Sequence, residues 1–195
     1  MHAFCMVVNP KHVTFWTETL GLEVLGQAKL DVLVREVLDI NPMVETRLFP
    51  SGLHEENAGE FLAGVDVLVD GIDLFAIELR RLVFARARAQ NIPVITSGPI
   101  GFGAPLLIFL PDRGLSFDEY FDFREGQSPA EQSFRFAFGL APRHRFLDYF
   151  DLPRIDFEER RGPSLGLACQ LATGQVAVEV AAVAYSLVTM LKGTM

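Results

Sequence analysis

The chain has 195 residues, of which 50% are apolar and 22% are charged, a composition typical of one folded domain with a hydrophobic core and not of a disordered chain. The formal net charge is -8 and the isoelectric point is about 5.0, so the composition provides no basic face of the kind that nucleic-acid-binding proteins use. Nucleic acid is therefore excluded as the expected partner.

The first predicted element is a helix over residues 28–40, where apolar side chains recur at helical spacing. An Asn-Pro pair ends this helix, because the residue before a proline avoids the helical region. Residues 43–49 alternate between apolar and polar side chains, which predicts a strand. A short helix over 54–63 is expected next, with Phe61 and Leu62 turned toward the core.

A continuous apolar run over residues 65–69 predicts a buried strand. A helix over 74–90, a strand over 93–96, a glycine-rich turn over 98–103 and a strand over 105–110 follow. Strands that alternate with helices predict right-handed crossovers and a mainly parallel sheet flanked by helices, which is an α/β fold. The last strand follows a turn too short to hold a helix, so it is predicted to run antiparallel to its neighbour.

The amino-acid composition changes after residue 112, where phenylalanine and charged residues become frequent. The patterns Ser-Phe-Asp-Glu and Ser-Pro-Ala-Glu are capping boxes, which predict short helices over 117–121 and 129–139. The aromatic side chains of this segment are expected to fill the core or cover the sheet: Phe121, Phe134, Phe136, Phe138, Phe146 and Phe150.

These patterns divide the chain into four segments. They are an atypical N-terminal segment (1–28), an α/β core (29–112), a Phe-rich crossover segment (113–162) and an apolar C-terminal helix of the same domain (163–195).

The C-terminal helix is long enough to cross a bilayer. Its middle carries Gln170, Gln175 and Glu179, and a central glutamate is costly in hydrocarbon. We therefore expect a buried or interface helix of a soluble protein, with no membrane partner.

The N-terminus lacks the basic leader and the long apolar stretch of a secretory signal, and two distant cysteines, Cys5 and Cys169, fit a reducing cytoplasm.

Neither the cysteines nor the four histidines have the spacing of a metal site. The four arginines of the 74–90 helix are expected to form its solvated side. They are Arg80, Arg81, Arg86 and Arg88.

Two carboxylates, Asp70 and Asp73, follow the strand predicted for 65–69. In an open parallel sheet ligands bind beyond the carboxyl ends of the strands, and two nearby carboxylates raise each other's proton affinity unless a cation or donors offset the repulsion. Magnesium on a triphosphate is a cation of this kind, since it takes one or two carboxylates together with phosphate oxygens. Aspartate is also a preferred N-cap, so Asp73 has two interpretations, helix capping and ligand contact.

Five features occur in order between residues 26 and 111. They are a lysine that opens a helix (Lys29), a helix-ending Ile-Asn-Pro, an Asp-x-x-Asp at a strand end (Asp70 and Asp73), a Gly-x-x-Gly-x-Gly turn after an Ile-Pro strand, and a strand closing in Pro111. In this order they resemble the ThiF/MoeB family, the bacterial relatives of ubiquitin-activating enzymes.

The resemblance implies a Rossmann-like domain that binds ATP and Mg²⁺ and adenylates the C-terminal carboxylate of a ubiquitin-like or sulfur-carrier protein. It implies that Lys29 contacts the ATP phosphates, that Asp73 lies near the magnesium and the triphosphate, and that Asp70 is a strand-end acid of the nucleotide site. It also implies a homodimer. Without the resemblance, Lys29 would be interpreted as a solvated lysine at a helix start.

The chain departs from the family pattern at its N-terminus. It has no glycine-rich loop of the GxGGxGS type and no NxNRQ-like pair. Gly21 and Gly26 are the only glycines in residues 1–28, and no arginine precedes Arg35. The first nucleotide-binding βα unit is therefore predicted to be missing or atypical, and residues 12–20 are expected to cover the exposed sheet edge. Three origins are expected for the missing loop: a truncated gene, an inactive relative, or a chain that receives the loop in trans. The alternative function is a non-catalytic binding or dimerisation module. A nucleotide-binding oxidoreductase is disfavoured because no GxGxxG opens a helix.

Overall fold

The structure is a computed structural model that describes the backbone of residues 4–8, 27–141 and 165–193, and the side chains of residues 27–141 and 165–185. The strand or helix predicted for residues 12–20 lies outside these ranges. The elements in chain order are β1 (Phe4–Val8), α1 (Lys29–Ile40), α2 (Ala58–Leu62), β2 (Val67–Gly71), α3 (Ile77–Ala89), β3 (Val94–Ser97), β4 (Leu106–Phe109), α4 (Phe117–Phe121), α5 (Pro129–Leu140) and α6 (Gly166–Gly193).

The described strands form one sheet in the order β1-β2-β3-β4. β1 pairs with β2 and β2 with β3 in parallel, and β4 pairs with β3 in antiparallel, with Val94 opposite Phe109. The predictions of a mainly parallel sheet and an antiparallel last strand are confirmed. β1 was not predicted: the N-terminal segment supplies a parallel strand beside β2.

The strand predicted for residues 43–49 is wrong, because the structure describes this segment without a strand or helix. Met43 is 83% exposed and Leu48 is 43% exposed, so the alternation does not mark a buried face. The segment is instead attached to α2 through Arg47, which donates to the carbonyl oxygens of Phe61 and Ala63, both at 3.0 Å. The backbone of a strand needs a paired neighbouring strand. Here the side chain of Arg47 instead supplies hydrogen bonds to carbonyl groups at the end of α2.

Two predicted boundaries move. The strand predicted for 65–69 is β2, Val67–Gly71, so Asp70 lies inside the strand and not beyond it. The helix predicted from residue 74 begins at Ile77, because the preceding residues form a turn in which the Ala76 amide donates to the Asp73 carbonyl at 3.0 Å.

The core lies between the sheet and α2 to α5, and phenylalanine rings dominate it. Phe84 and Phe117 have ring centroids 4.3 Å apart, and Phe121 and Phe136 have centroids 5.0 Å apart. The expectation for the Phe-rich segment holds for Phe121 and Phe136, which are buried. It is wrong for Phe134, which is 56% exposed, while Phe146 and Phe150 lie outside the described residues.

α6 contacts the sheet, mainly at β3, and Ala168 and Ala172 in its first turns are buried. Further along, Val178 is 67% exposed and Tyr185 is 74% exposed. Its residues Gly166–Tyr185 are, by length and composition, apolar enough to cross a membrane, and 11% of the apolar window is buried. The described helix thus carries exposed apolar side chains on part of its surface.

Both predicted capping boxes are present. Ser116 Oγ accepts from the Glu119 amide at 3.3 Å while the Glu119 carboxylate accepts from the Ser116 amide at 2.7 Å, and Ser128 with Glu131 repeats the arrangement at the start of α5. The hydrogen bond from the Ser116 backbone is the main reason that the pKa of Glu119 lies below its usual value, and the Ser128 backbone lowers the pKa of Glu131 in the same way.

Replacement of Gly139 by alanine is expected to destabilise the fold. A Cβ at this position would lie 2.5 Å from Cδ1 of Phe121, whose ring is buried among other rings. Overpacking costs about 1–3 kcal/mol, more than the roughly 1 kcal/mol by which alanine is preferred over glycine in a helix. Urea denaturation should show a lower free energy of unfolding for Gly139→Ala. The control Gly174→Ala, whose new Cβ would lie within 4 Å of no other described part of the chain outside its own helix, should be neutral or stabilising; equal behaviour of the two variants would contradict the close approach.

The capping boxes predict an acid-side loss of stability. Since the pKa of each glutamate is lowered from 4.5 in the folded chain, the stabilisation is complete above that ordinary value and is lost as the pH falls through the lowered, folded-state pKa. Urea midpoints measured from about pH 6 to about pH 3 should fall less steeply for the Glu119→Gln/Glu131→Gln variant than for the unmodified chain. Glu125→Gln, outside both boxes, serves as the control and should keep the original slope.

Candidate functional site

Asp70 lies near the carboxyl end of β2 and is 6% exposed. Its Oδ2 accepts from Thr96 Oγ1 at 2.7 Å and from Arg80 Nε at 2.9 Å, and its Oδ1 accepts from the Ile72 amide at 2.9 Å. Both carboxylate oxygens are thus held by partners from β3, α3 and the chain just after β2. A buried charge needs such partners, since an unpaired one is strongly destabilising.

Arg80 is 3% exposed, so its assignment to a solvated side of the helix is wrong. It stands one helical turn after Ile77 and one before Val83 and Phe84, all buried, so it lies on the inward stripe of α3. That spacing was the signal in the sequence. Charge alone suggested exposure, and the compensating carboxylate of Asp70 comes from another element.

The guanidinium of Arg80 binds more than the carboxylate. Nη1 donates to the Asp73 carbonyl at 3.3 Å and Nη2 donates to the Ile72 carbonyl. Its Cζ lies 4.4 Å from the centre of the Phe136 ring of α5, a cation–π distance. One side chain therefore connects β2, the following turn, α3 and α5.

Asp73 lies in the turn between β2 and α3 and is half-buried. Its Oδ1 accepts from the Phe75 amide at 3.0 Å. The N-cap of α3 is Ala76, without a side-chain cap, so Asp73 shapes the turn that leads into the helix and is not its cap residue. Asp73 thus lies at the carboxyl edge of the sheet, which is where open α/β sheets bind ligands.

Lys29 is the first residue of α1 and is half-buried. The predicted helix start is confirmed. Lys29 and Asp73 belong to separate elements, and their convergence on one ligand stays a prediction.

The donor set at the carboxyl edge determines which metal chemistry fits. Among the described residues no group of three His, Cys, Asp or Glu side chains could hold a metal ion. Asp70 accepts hydrogen bonds on both oxygens, and half-buried Asp73 accepts one from the Phe75 amide. Magnesium bound mainly by phosphate oxygens and water needs only one or two carboxylates, so Asp73 fits a magnesium that arrives on a nucleotide better than a metal held by the protein alone.

The glycine-rich segment after β3 forms a tight turn, as predicted. The Ile100 amide donates to the Gly103 carbonyl at 2.9 Å and the Gly103 amide donates to the Ile100 carbonyl at 3.0 Å. Gly101 has a φ of 58°, a left-handed conformation that suits glycine. The turn joins two antiparallel strands and begins no helix, so it lacks the helix N-terminus that phosphate loops use.

A groove of about 510 Å³ lies at the opposite end of the sheet, beside Val94 of β3 and Phe109 of β4. One wall is Arg81, whose Nη2 donates to Asp118 at 2.8 Å. This hydrogen bond raises the pKa of Arg81. The Arg81–Asp118 hydrogen bond joins two walls of the groove. Because the groove lies at the amino end of β3, it is distinct from the carboxyl edge that holds Asp73.

Comparison with known proteins gives a family match over most of the chain. The model of the family described as "ThiF family" matches residues 19–193. A curated relative, "Uncharacterized protein MT1398" of Mycobacterium tuberculosis (strain CDC 1551 / Oshkosh), is 29% identical over 110 residues, which are 55% of this chain and 13% of the relative. The chain therefore spans a small part of the length of the curated protein that it matches.

Solved structures with the same architecture include PaaA, with a TM-score of 0.58, 15% identity, and coverage of 92% of this chain and 55% of PaaA. At this identity the likeness shows the fold alone, which is α/β as predicted. The structure of Escherichia coli MccB with ATP is also similar, with a TM-score of 0.46, 15% identity, and coverage of 83% of this chain and 50% of MccB.

The buried pair predicts a large effect of Arg80→Met. The free energy of unfolding should fall by about 3–5 kcal/mol, because the Asp70 carboxylate would stay buried without its charged partner. The Asp70→Asn/Arg80→Met variant should lose less, since the unpaired charge is removed. Arg86→Met is the control: Arg86 pairs with Glu55, which is 74% exposed, so urea denaturation should show a loss of at most about 1 kcal/mol. An equally small loss for Arg80→Met would contradict the assigned role of the pair.

Proposed function

This chain belongs to the ThiF family, and we propose on that basis that it is a ThiF-type adenylyltransferase domain. The proposed reaction is the ATP-dependent activation of the C-terminal carboxylate of a ubiquitin-like or sulfur-carrier protein. The observation that carries the proposal is the family match over residues 19–193. The position of half-buried Asp73 at the carboxyl edge of the parallel strands supports it.

In this proposal Asp73 and Lys29 are the residues that contact the nucleotide. Asp73 contributes a carboxylate to the magnesium side of the triphosphate, and Lys29 contributes a positive charge to the phosphates. Bound Mg-ATP would supply the adenylyl group and the charge neutralisation that phosphoryl chemistry requires. The residues of the chain position the reactants and place charge, which is the main contribution of a protein to such transfers.

Asp70 has a supporting role in the proposal. Its oxygens are bound by Arg80, Thr96 and the Ile72 amide, so it holds the strand end from inside the fold. A direct contact between Asp70 and the nucleotide stays a prediction.

The proposed partners are the carrier protein and a second copy of the chain. Exposed apolar side chains on α6 support an interface there, because Leu167 is 68% exposed, Val178 is 67% exposed and Tyr185 is 74% exposed. A cytoplasmic location is part of the proposal: within the described residues Cys169 forms no disulfide, which fits a reducing compartment.

The second candidate function is a non-catalytic ThiF-fold module for binding or dimerisation. One observation favours it: of the two strand-end aspartates, Asp70 is fully engaged inside the fold. In this alternative the carboxyl edge docks a carrier tail without activating it.

The adenylyltransferase proposal predicts ATP–pyrophosphate exchange that depends on a carrier protein with a free C-terminal carboxylate. Asp73→Asn should reduce the exchange rate about 10- to 100-fold, because it removes a charged ligand at the magnesium. Lys29→Met should reduce it at least about tenfold, because a charge on the phosphates is lost. Asp112→Asn changes a carboxylate that is 71% exposed beyond the other end of β4, so it should leave the rate unchanged.

The same samples separate the two candidate functions. Exchange, or a rise in Tm on addition of Mg-ATP, supports the enzyme and counts against the non-catalytic module. If neither exchange nor a shift in Tm is observed with any candidate carrier, the adenylyltransferase proposal fails and the binding module is supported.

A further inference from the structure

We infer that Arg80 is a positioning residue that fixes the Asp73 turn, so that its guanidinium sets where the Asp73 carboxylate meets a nucleotide-bound metal. The inference rests on the proposed function for the ligand and on the geometry of the chain for the mechanism. Arg80 does not touch the ligand in this account; it acts through the backbone of residues 72–73.

Four hydrogen bonds connect Arg80, Asp70, Ile72 and Asp73 to one another. Arg80 donates to the Asp70 carboxylate at 2.9 Å, to the Ile72 carbonyl, and to the Asp73 carbonyl at 3.3 Å. The Ile72 amide donates back to Asp70 at 2.9 Å. The path of the chain from Asp70 to Asp73 is therefore closed by one side chain into a fixed loop.

The start of α3 is not fixed by a capping side chain. The N-cap of α3, Ala76, has no side-chain cap and has φ -96° and ψ 53°, so the usual side-chain acceptor that fixes a helix entry is not used here. The turn makes its own bonds from the Phe75 and Ala76 amides to Asp73. Those bonds shape the turn, Leu74 and Ala76 pack against the core, and Arg80 adds hydrogen bonds to the backbone of Ile72 and Asp73.

The geometry of these contacts requires arginine. The guanidinium is planar and presents its donors in a rigid fork, so Nε, Nη1 and Nη2 reach one carboxylate and two carbonyls at once. Its plane also lies near the Phe136 ring, with Cζ at 4.4 Å from the ring centre. A lysine keeps the positive charge beside Asp70 but loses the fork, so Arg80→Lys separates geometry from charge.

The experiment compares Arg80→Lys with two matched controls. Arg86→Lys makes the same chemical change at an arginine that binds Glu55 on the surface. Val83→Ala weakens the fold from the same helix, because Val83 is fully buried, but it lies outside the Asp70–Arg80 network. Amide hydrogen exchange is followed by NMR at Ile72, Phe75 and Ala76, and Mg-ATP affinity is measured by calorimetry.

Arg80→Lys is expected to accelerate exchange selectively at the three turn amides and to weaken Mg-ATP binding about 10- to 100-fold, the usual effect of losing a residue that orients a metal ligand. Arg86→Lys should change neither readout. Val83→Ala should raise exchange throughout the core without selectivity for the turn, and should leave the affinity within about twofold of the unmodified chain. This combination separates positioning from a loss of global stability.

Each outcome is decisive. If the unmodified chain binds no Mg-ATP, the proposed function fails, and the nucleotide role of Arg80 fails with it before any variant is compared. If the unmodified chain binds and Arg80→Lys binds equally well, or leaves exchange at the turn amides unchanged, the positioning role alone is overturned.

If Arg80→Lys does not fold, Thr96→Val replaces it. This variant removes the Thr96 donor at 2.7 Å from Asp70 and leaves Arg80 in place. It should produce a smaller change in the same direction at the same three amides and in the same affinity; no change in either would overturn the inference.

Discussion

Burying a carboxylate beside a guanidinium removes both charges from water, and their attraction offsets that loss only where further hydrogen bonds satisfy the remaining donors and acceptors. The pair formed by Asp70 and Arg80 meets this condition, with side-chain exposures of 1% and 4%. Thr96 and two backbone carbonyls complete the set. Because the partners come from two strands, a turn and a helix, the relative placement of these elements follows from the requirement to satisfy one buried charge pair.

The same requirement divides the work between two aspartates that the sequence presents as a pair. Asp70 is inside the strand and turned to the core, whereas Asp73 is three residues later in a turn at the sheet edge. The identical carboxylates therefore meet different surroundings: one is enclosed by donors and the other is half-buried at the edge. The first supports the strand end, and the second is the residue to which the proposal assigns the contact with the nucleotide. Proximity in sequence did not imply a shared role.

Sequence patterns predicted the parts of the fold that depend on near neighbours. α4 and α5 begin at capping boxes closed within four residues, and β4 is antiparallel because its connecting turn is short. Patterns failed where the answer depends on distant residues. Residues 43–49 can form a strand by alternation, but a strand requires a partner, and here Arg47 binds α2 instead. Arg80 was wrongly predicted to be exposed, because its partner is ten residues away on another element. The spacing of Arg80 from the buried apolar residues of α3 places it on the inward face of the helix, but its charge favoured exposure. For the candidate site, the edge position of Asp73 was predictable, and the residue that holds it was not.

α6 has 28 residues, which corresponds to a rod of about 42 Å at 1.5 Å per residue, whereas four strands span only about 14 Å between their outer axes. The buried residues Ala168 and Ala172 lie near one end of this rod, so the other end lies roughly 30 Å from Ala172 along the helix axis. A helix of this length therefore extends beyond the four described strands, whatever its direction across them.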